Sequence, residues 1–588
     1  MRKDRRAIKS RKAGYPLLGY EDLAAPNASL IFSTNSTRND CSTMFLTNRN
    51  GGGFGCFFVF IGKTILGQNY IFNILLAKNN TFIWPKVIKF YTYGTVYKNN
   101  FVSLHRDTKQ INMDKQFIGR KLEIQQLKKI ESSGKAEFVA VYGRRRVGKT
   151  YLIKQYFDKR FAFETTGILE GSAEEQMFAF RNSLEKVGYD GALPSTWLEA
   201  FECLKTAMEK TKSRGRKVIY IDELPCFDTQ KSGFVRALGY FWNSWASQQK
   251  NVILIVCGSA TSWMVDNIIN DHGGLHNRIT HTIYLHQFTL SETEHYLSSH
   301  GMKWPRQTIV ETYMAFGGIP YYLSLLDSRQ SLPQNIDRLY FGKNSELKTE
   351  FHRLYSSLFK SPEAYTKIVE LLFQNKKGLT RKEIVEKMGK TSNGNLSKQL
   401  RNLENCDIIR RYSVKSKGKL KVKDSYYQLI DFFSLFHLTF SGKATSDRYW
   451  EQRVNTPMIN SWQGIAFEHV CMTHILQIRQ ALGLSRIAVE YYSWRSTESP
   501  NAQIDMVIER ADQLVNLCEM KFTKSEYSIT AKDDRSMRNK CEAFLRDSGL
   551  QLGILPTWIT PYGLKKNLYS EEVQYQATLK DLFADITV

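Results

Sequence analysis

Apolar residues along this chain fall into short dense runs of strand length, separated by stretches in which they recur every three or four positions. Phe138-Val139-Ala140-Val141-Tyr142 is one such run, and Tyr151 to Phe157 behind it has the spacing of an amphipathic helix. Phe161 to Thr166, Val218 to Ile221, Val252 to Cys257 and Thr280 to Leu285 repeat the strand-length pattern with helical stretches between them. Strands that alternate with helices predict a doubly wound parallel sheet. Farther on the pattern changes. Thr380 to Met388 reads as a short helix whose Thr380 and Glu383 form a capping box, and Leu396, Leu400 and Leu403 give a second helix one buried stripe. Ile408 to Ser413 and Lys419 to Leu429 alternate around Lys417-Gly418, so helix, turn, helix and hairpin predict a winged helix over residues 360–430. A helix from Trp462, a run from Ala488, and a hairpin of Gln503 to Ile508 with Leu514 to Lys521 predict an α/β domain over 431–588.

The first strand ends in GRRRVGKT, Gly143 to Thr150. This is the G-x-x-x-x-G-K-[ST] spacing, in which backbone N–H groups wrap a diphosphate, the lysine reaches the β/γ phosphates and the hydroxyl holds Mg²⁺. Gly143, Arg144, Arg145, Arg146, Val147, Gly148, Lys149 and Thr150 are therefore the expected nucleotide-binding residues. Val218-Ile219-Tyr220-Ile221 runs into Asp222-Glu223, where a nucleoside triphosphatase needs a metal-orienting acid and a water-polarising one. Asp222 and Thr150 are the expected Mg²⁺ residues and Glu223 the expected catalytic carboxylate. Ser259, after Cys257-Gly258, either senses the γ-phosphate or caps a helix. Arg278 either serves as an arginine finger, which if it acts in trans implies a homo-oligomer, or forms an ion pair with a neighbouring acid.

Charge sharpens this picture. The formal net charge is +25, and residues 1–112, with 16 Lys/Arg against 5 Asp/Glu, and 376–423, with 15 against 4, hold nearly all of it. The second block lies on the expected winged helix, where Asn395, Lys398, Gln399, Arg401 and Asn402 form the polar helix face and Lys419, Lys421 and Lys423 share one strand face. Such side chains suit DNA phosphates and base edges, although the same motif also serves as a packing module. The first block, with a basic MRKDRRAIKSRK start and the Gly51-Gly52-Gly53 run, reads as a weakly structured leader, and Met113 is the expected true start. A small accessory domain or anchor is the competing reading. The apolar stretch Phe54 to Ala77 is interrupted by Lys63, Gln68 and Asn69, so no membrane span is expected there. Nine cysteines without a C-x-x-C pair read as reduced thiols of a cytoplasmic protein.

GRRRVGKT, YIDELP, CGSA, the Arg278 segment and FGGIPYYL together resemble the archaeal-type ATPase family of AAA/STAND-like P-loop proteins, over roughly residues 114–345. The resemblance implies ATP rather than GTP, a five-stranded parallel core over 113–288, a helical lid over 289–350 and nucleotide-dependent switching. Where the family usually reads CGSS, Ala260 stands at the last position. Toward the C-terminus, Glu468 on a helix, Asp505 on one strand and Glu519 and Lys521 on the next resemble the PD-(D/E)XK nuclease superfamily. In that reading the domain is restriction-endonuclease-like, Asp505 and Glu519 bind a divalent metal, and Lys521 and Glu468 complete the catalytic set. The alternatives are a salt bridge at two strand ends or an inactive nuclease-like domain. The function expected is an ATP-hydrolysing, DNA-associated protein with metal-dependent nucleic-acid cleavage. A regulatory switch with a DNA-binding module and a protein-remodelling ATPase remain as alternatives.

Overall fold

The computed structural model describes residues 117–586, apart from short breaks at 159, 212–214, 260, 272, 377, 390–393, 413–414, 417–418, 421–424, 444, 497–501 and 550–551, together with the backbone of six strands between 28 and 90. The chain divides into two units, Met1–Lys115 and Gln116–Val588. In the first, Ala28–Phe32 pairs antiparallel with Met44–Asn48. Tyr70–Lys78 lies between Phe57–Gly62 and Lys86–Phe90, antiparallel to both. The leader expected to be weakly structured thus contains regular sheet, in segments rich in the aromatic and β-branched residues that favour strands.

In the second unit, strands β1 (Glu137–Tyr142), β2 (Phe161–Thr166), β3 (Lys217–Asp222), β4 (Val252–Gly258) and β5 (His281–Tyr284) form one sheet in the order β5-β1-β4-β3-β2. Every pairing in it is parallel. Because successive side chains point to opposite faces, the apolar runs divide between two cores. Val139, Val141, Ile253, Ile255 and Cys257 enter one; Phe138, Ala140, Val252, Leu254 and Val256 enter the other. Helices Ala173–Glu185, Trp197–Lys210 and Phe234–Ser244 close the second core with Phe180, Phe201 and Trp242 among its buried side chains.

The first core does not stop at the sheet. It runs through helices Lys121–Ser132, Leu290–Ser299 and Arg306–Phe316, on through Leu354, Ile368, Leu400 and Phe436, and into Phe467 and Leu582 near the C-terminus. The expected lid, the 360–430 region and part of the 431–588 region are therefore held by one continuous apolar interior.

Residues 362–429 comprise helices Pro362–Gln374, Arg381–Lys387 and Gly394–Asn405 and an antiparallel sheet β6 (Leu379–Thr380), β7 (Ile409–Tyr412) and β10 (Tyr426–Leu429), in the order β6-β10-β7. A two-residue hairpin, β8 (Lys415–Ser416) with β9 (Lys419–Leu420), projects between β7 and β10. Thr380 and Glu383 make the capping box that the sequence predicts. After helices Phe432–Phe440 and Pro457–Thr473 comes a sheet β11 (Val489–Arg495), β12 (Gln503–Arg510), β13 (Leu514–Met520), β14 (Gly553–Ile559) and β15 (Tyr575–Ala577). Its first three strands are antiparallel and its last two pairings parallel, with helix Ala531–Ser548 joining β13 to β14. Among the described residues no helix is long and apolar enough to cross a membrane.

Candidate active site

The phosphate loop leaves the carboxyl end of β1 at Gly143, whose φ is 143° and whose hydrogen faces Leu285; a Cβ there would stand 2.5 Å from the Leu285 carbonyl oxygen. Gly148, at φ 91°, then turns the chain into helix Lys149–Phe157. Both positions require glycine, the first for close approach and both for backbone conformation. Lys149 is buried, and its Nζ donates to the Gly143 and Arg144 carbonyl oxygens at 2.9 Å each. Burial lowers its pKa, with Glu223 and Asp222 among the groups opposing that shift. The ammonium is thus held inside the loop by backbone dipoles.

Thr150 Oγ1 donates to Asp222 Oδ2 at 2.8 Å, which brings the two expected metal residues into one pair. Glu223, one residue beyond β3, has a left-handed φ of 46°, and its Oε2 accepts from Ser259 Oγ at 2.9 Å. The strand order explains this meeting. Because β4 lies between β1 and β3, the residue after β4 comes between the phosphate loop and the acidic pair. Ser259 is therefore a partner of Glu223. The hydroxyl and carboxylate of Thr150 and Asp222 are hard oxygen donors of the kind that fit Mg²⁺.

Arg278 lies elsewhere. Its side chain is exposed, and its backbone N–H donates to Leu275. The N–H of Thr280 bonds the Phe138 carbonyl at the amino end of β1, five residues before Gly143 and about 16 Å back along the strand. In this chain Arg278 does not reach its own phosphate loop, because β5 is parallel to its neighbour β1 and Arg278 precedes it, at the amino end of the strands.

The three loop arginines divide in a way the motif does not reveal. The guanidinium of Arg144 is buried and paired with Asp431, whose other oxygen accepts from Ser434 N and caps helix Phe432–Phe440. Arg146 pairs with Glu350 and stands 4.3 Å over the Tyr321 ring. Arg144 and Arg146 were expected among the nucleotide-binding residues, but their side chains turn away to acids far along the chain and leave only backbone to the phosphates. Arg120, just before helix Lys121–Ser132, also engages the loop. Its guanidinium donates to the Val147 and His286 carbonyls at 2.9 and 2.7 Å, tying the loop to the strand that enters the lid. Another contact comes from the 360–430 region: Tyr284 OH donates to Asp407 Oδ2 at 2.6 Å, just past helix Gly394–Asn405.

A second cluster forms on the C-terminal sheet. Asp505 and Glu519 lie one step beyond the Met506–Cys518 ladder pair of β12 and β13, and Met520 N donates to Asp505 Oδ2 at 3.2 Å. Glu468 faces them from helix Pro457–Thr473. Burial first, then the neighbouring carboxylates, raises Glu468 above the usual range, and burial and Glu519 raise Asp505. Lys521 Nζ bonds Glu519 Oε1 at 2.8 Å, as its position two residues on suggests. Lys540, on helix Ala531–Ser548, bonds the other oxygen. Nothing in the local sequence around Lys540 signals this; only the helix's return across β13 brings it there. Among the described residues no group of three or more ligating side chains has metal-holding geometry, and both Glu519 oxygens carry a lysine. Behind the cluster, Arg410 of β7 donates to Ser493 Oγ at 2.6 Å, and Ser493 Oγ donates to the Asp505 carbonyl at 2.8 Å.

On helix Gly394–Asn405, Asn395, Lys398 and Arg401 are exposed as expected. Gln399 and Asn402 are buried instead, and Asn402 Nδ2 donates to Tyr365 OH at 2.8 Å. The helix packs on two sides, against Pro362–Gln374 and against Thr261–Met264 of the core, so its apolar stripe alone underestimates what is covered. Lys421 and Lys423 lie outside the described residues, as do Ala260 and the Lys419 side chain.

Residues 117–326 match the family described as an ATPase domain predominantly from Archaea. An uncharacterized protein of Methanocaldococcus jannaschii is 25% identical over 375 residues, covering 62% of this chain and 78% of that protein. An uncharacterized ATP-binding protein of the same organism is 43% identical over 44 residues, 8% of this chain and 75% of that one. Among solved structures, a Walker-type ATPase of Pyrococcus abyssi aligns with a TM-score of 0.40 and 17% identity over 55% of this chain and 97% of that one. The ORC2 protein of Aeropyrum pernix, in ADPNP and ADP complexes, aligns with a TM-score of 0.35 and 11% identity over 55% and 93%.

Proposed function

We propose that this chain binds and hydrolyses ATP, associates with DNA through the 360–430 region read as a winged helix, and uses Asp505, Glu519 and Lys521 for metal-dependent phosphodiester cleavage. The observation that carries the first part is the convergence of Lys149, the Thr150–Asp222 pair and the Ser259–Glu223 pair at the carboxyl ends of three neighbouring strands. An incoming triphosphate would exchange the Gly143 and Arg144 carbonyls for its own oxygens at Lys149 Nζ, a stronger partner for a buried ammonium. Glu223, held by Ser259, is the carboxylate placed to orient an attacking water and take its proton. Thr150 and Asp222 would hold Mg²⁺, which supplies charge neutralisation at the β and γ phosphates. Arg278, exposed at the amino end of the strands, fits a role toward a second copy rather than toward its own loop.

The nuclease reading is supported by two carboxylates on facing strand positions. Like charges placed opposite one another are destabilising unless a cation joins them. A second reading has its own observation: Lys521 and Lys540 already neutralise Glu519, as in a closed structural cluster. In that case the chain is an ATP-dependent regulatory switch. Mn²⁺ titration of the full chain separates the two by thermal shift. The whole chain is needed because Phe467 of the Glu468 helix belongs to the shared core. A metal site raises the midpoint by mass action, Asp505→Ala abolishes the rise, and Lys521→Ala keeps it while removing cleavage of plasmid and oligonucleotide DNA. No rise in wild type together with no cleavage in any nucleotide state would leave the switch.

A further inference from the structure

Two chain segments leave the nucleotide site side by side. One follows Glu223 through the short helix Leu224–Cys226 toward Gly233, ahead of helix Phe234–Ser244. The other follows Ser259 into helices Thr261–Met264 and Val265–Ile269. They are stitched together where Trp263 Nε1 donates to Asp228 Oδ2 at 3.2 Å, and within the second segment Asn267 Nδ2 donates to the Trp263 carbonyl at 3.0 Å. Between these segments and Lys360, in the link to helix Pro362–Gln374, opens a cleft of about 730 Å³ whose walls include Asp228, Lys231, Ser232, Arg236, Asn267 and Lys360.

Its charge is one-sided. Lys231, Arg236 and Lys360 are all exposed, and none of them has an ion pair or hydrogen bond among the described residues. The single acid, Asp228, is engaged with the indole of Trp263. Three cations without an ion pair among the described residues, two on the stretch 231–236 and one at 360, converge on one polar cleft beside a single acid and leave it net positive. Cations standing at separate points around one cleft suit an anion that repeats its charge better than one compact ion.

We propose that this cleft binds the phosphate backbone of a nucleic acid. It rests on the reading of the chain as DNA-associated and adds a contact surface on the ATPase core itself, built from the two segments that hold Glu223 and Ser259. The three side chains would each meet a phosphate and release condensed counterions, which makes affinity fall with salt in proportion to their number.

The test uses the full chain, labelled single- and double-stranded oligonucleotides, and the triple variant Lys231→Ser, Arg236→Ser, Lys360→Ser. Because the replaced side chains are exposed, the variant should match wild type in thermal midpoint and in ATP affinity. Its nucleic-acid affinity at low salt should fall about tenfold or more, and its salt slope should flatten by roughly two to three units. Wild type that binds DNA with the same salt slope as the triple variant would overturn the cleft and leave DNA association standing. Wild type that binds neither oligonucleotide at low salt overturns both. A polyglutamate probe captured as tightly as DNA, and lost on the same substitutions, would assign the cleft to an acidic peptide and also overturn the proposal.

Discussion

The nucleotide site and the C-terminal carboxylate cluster are built by opposite means. At the first, Gly143 to Thr150 is one uninterrupted segment, Asp222-Glu223 is another, and the parallel strand order carries both to the same edge with Ser259 between them. At the second, Glu468, Asp505, Glu519 and Lys540 come from two helices and two strands, and the partner that completes Glu519 is the one farthest along the chain. A site made from contiguous motifs declares its chemistry in sequence. A site assembled across elements declares only its candidates, because the neutralising partners that decide whether carboxylates hold a metal or a lysine come from elsewhere in the fold.

The largest effects expected are those that break the first site and leave the second intact. Lys149→Ala should weaken ATP binding by more than about a hundredfold, since a buried cation facing phosphates is worth roughly 3 kcal/mol or more. Glu223→Gln should keep ATP binding and slow turnover by about two to three orders of magnitude. Equilibrium nucleotide binding and single-turnover hydrolysis check both. If Lys149→Ala also removed the Mn²⁺-induced thermal shift, the two sites would not be separate, and the contrast drawn above would fail.

An effect of similar size concerns the bond that joins the regions. Arg144 and Asp431 are both buried, and each is the other's charge partner. Removing one partner of such a pair costs about 3 to 5 kcal/mol, whereas removing both is far milder. Asp431→Asn should therefore lower the urea midpoint sharply and Arg144→Met similarly, while the double variant recovers much of the loss. A double-mutant cycle with no coupling would show that the loop and helix Phe432–Phe440 are merely adjacent.

That pair also marks where the sequence stops being legible. The five-stranded parallel sheet, the phosphate loop, the acidic pair and the capping box at Thr380 follow from local periodicity and spacing, and each stands where those patterns put it. What periodicity does not convey is long-range company. Arg144 and Arg146 look like phosphate ligands because their motif is read alone; Asp431 and Glu350, which take them, have no spacing relation to the loop. Gln399 and Asn402 look solvent-facing because one apolar stripe explains one packing partner, and the helix has two. Arg278 looks close to the nucleotide because it is near β5 in sequence, but the direction of β5 puts it at the amino end of the strands.

The smallest effect lies at the seam between the two regions, where helix Pro457–Thr473 meets the helices that follow β5. His474 is fully buried; its Nε2 accepts from Leu290 N at 2.9 Å, and its Nδ1 bonds the Val470 carbonyl at 2.8 Å, so its neutral form fits both contacts. Burial pushes its pKa down to about 4, and that of His437 likewise to about 4. A group held below its unfolded value of roughly 6.5 contributes stability that is present above that pH and lost as pH falls through the folded value. The carboxylate cluster works in the other direction. Glu468 and Asp505 are raised, so their contribution is full at low pH and lost as pH rises. The two trends overlap in wild type, and a single stability curve hides both. His474→Gln keeps an acceptor for Leu290 N but does not titrate, so subtracting its curve from that of wild type isolates the histidine. Between pH 7 and 5.5 wild type should lose about 1 kcal/mol more than the variant, read from urea midpoints at each pH. Parallel curves would mean that the imidazole titrates alike in the folded and the unfolded chain and that the seam is held by packing alone.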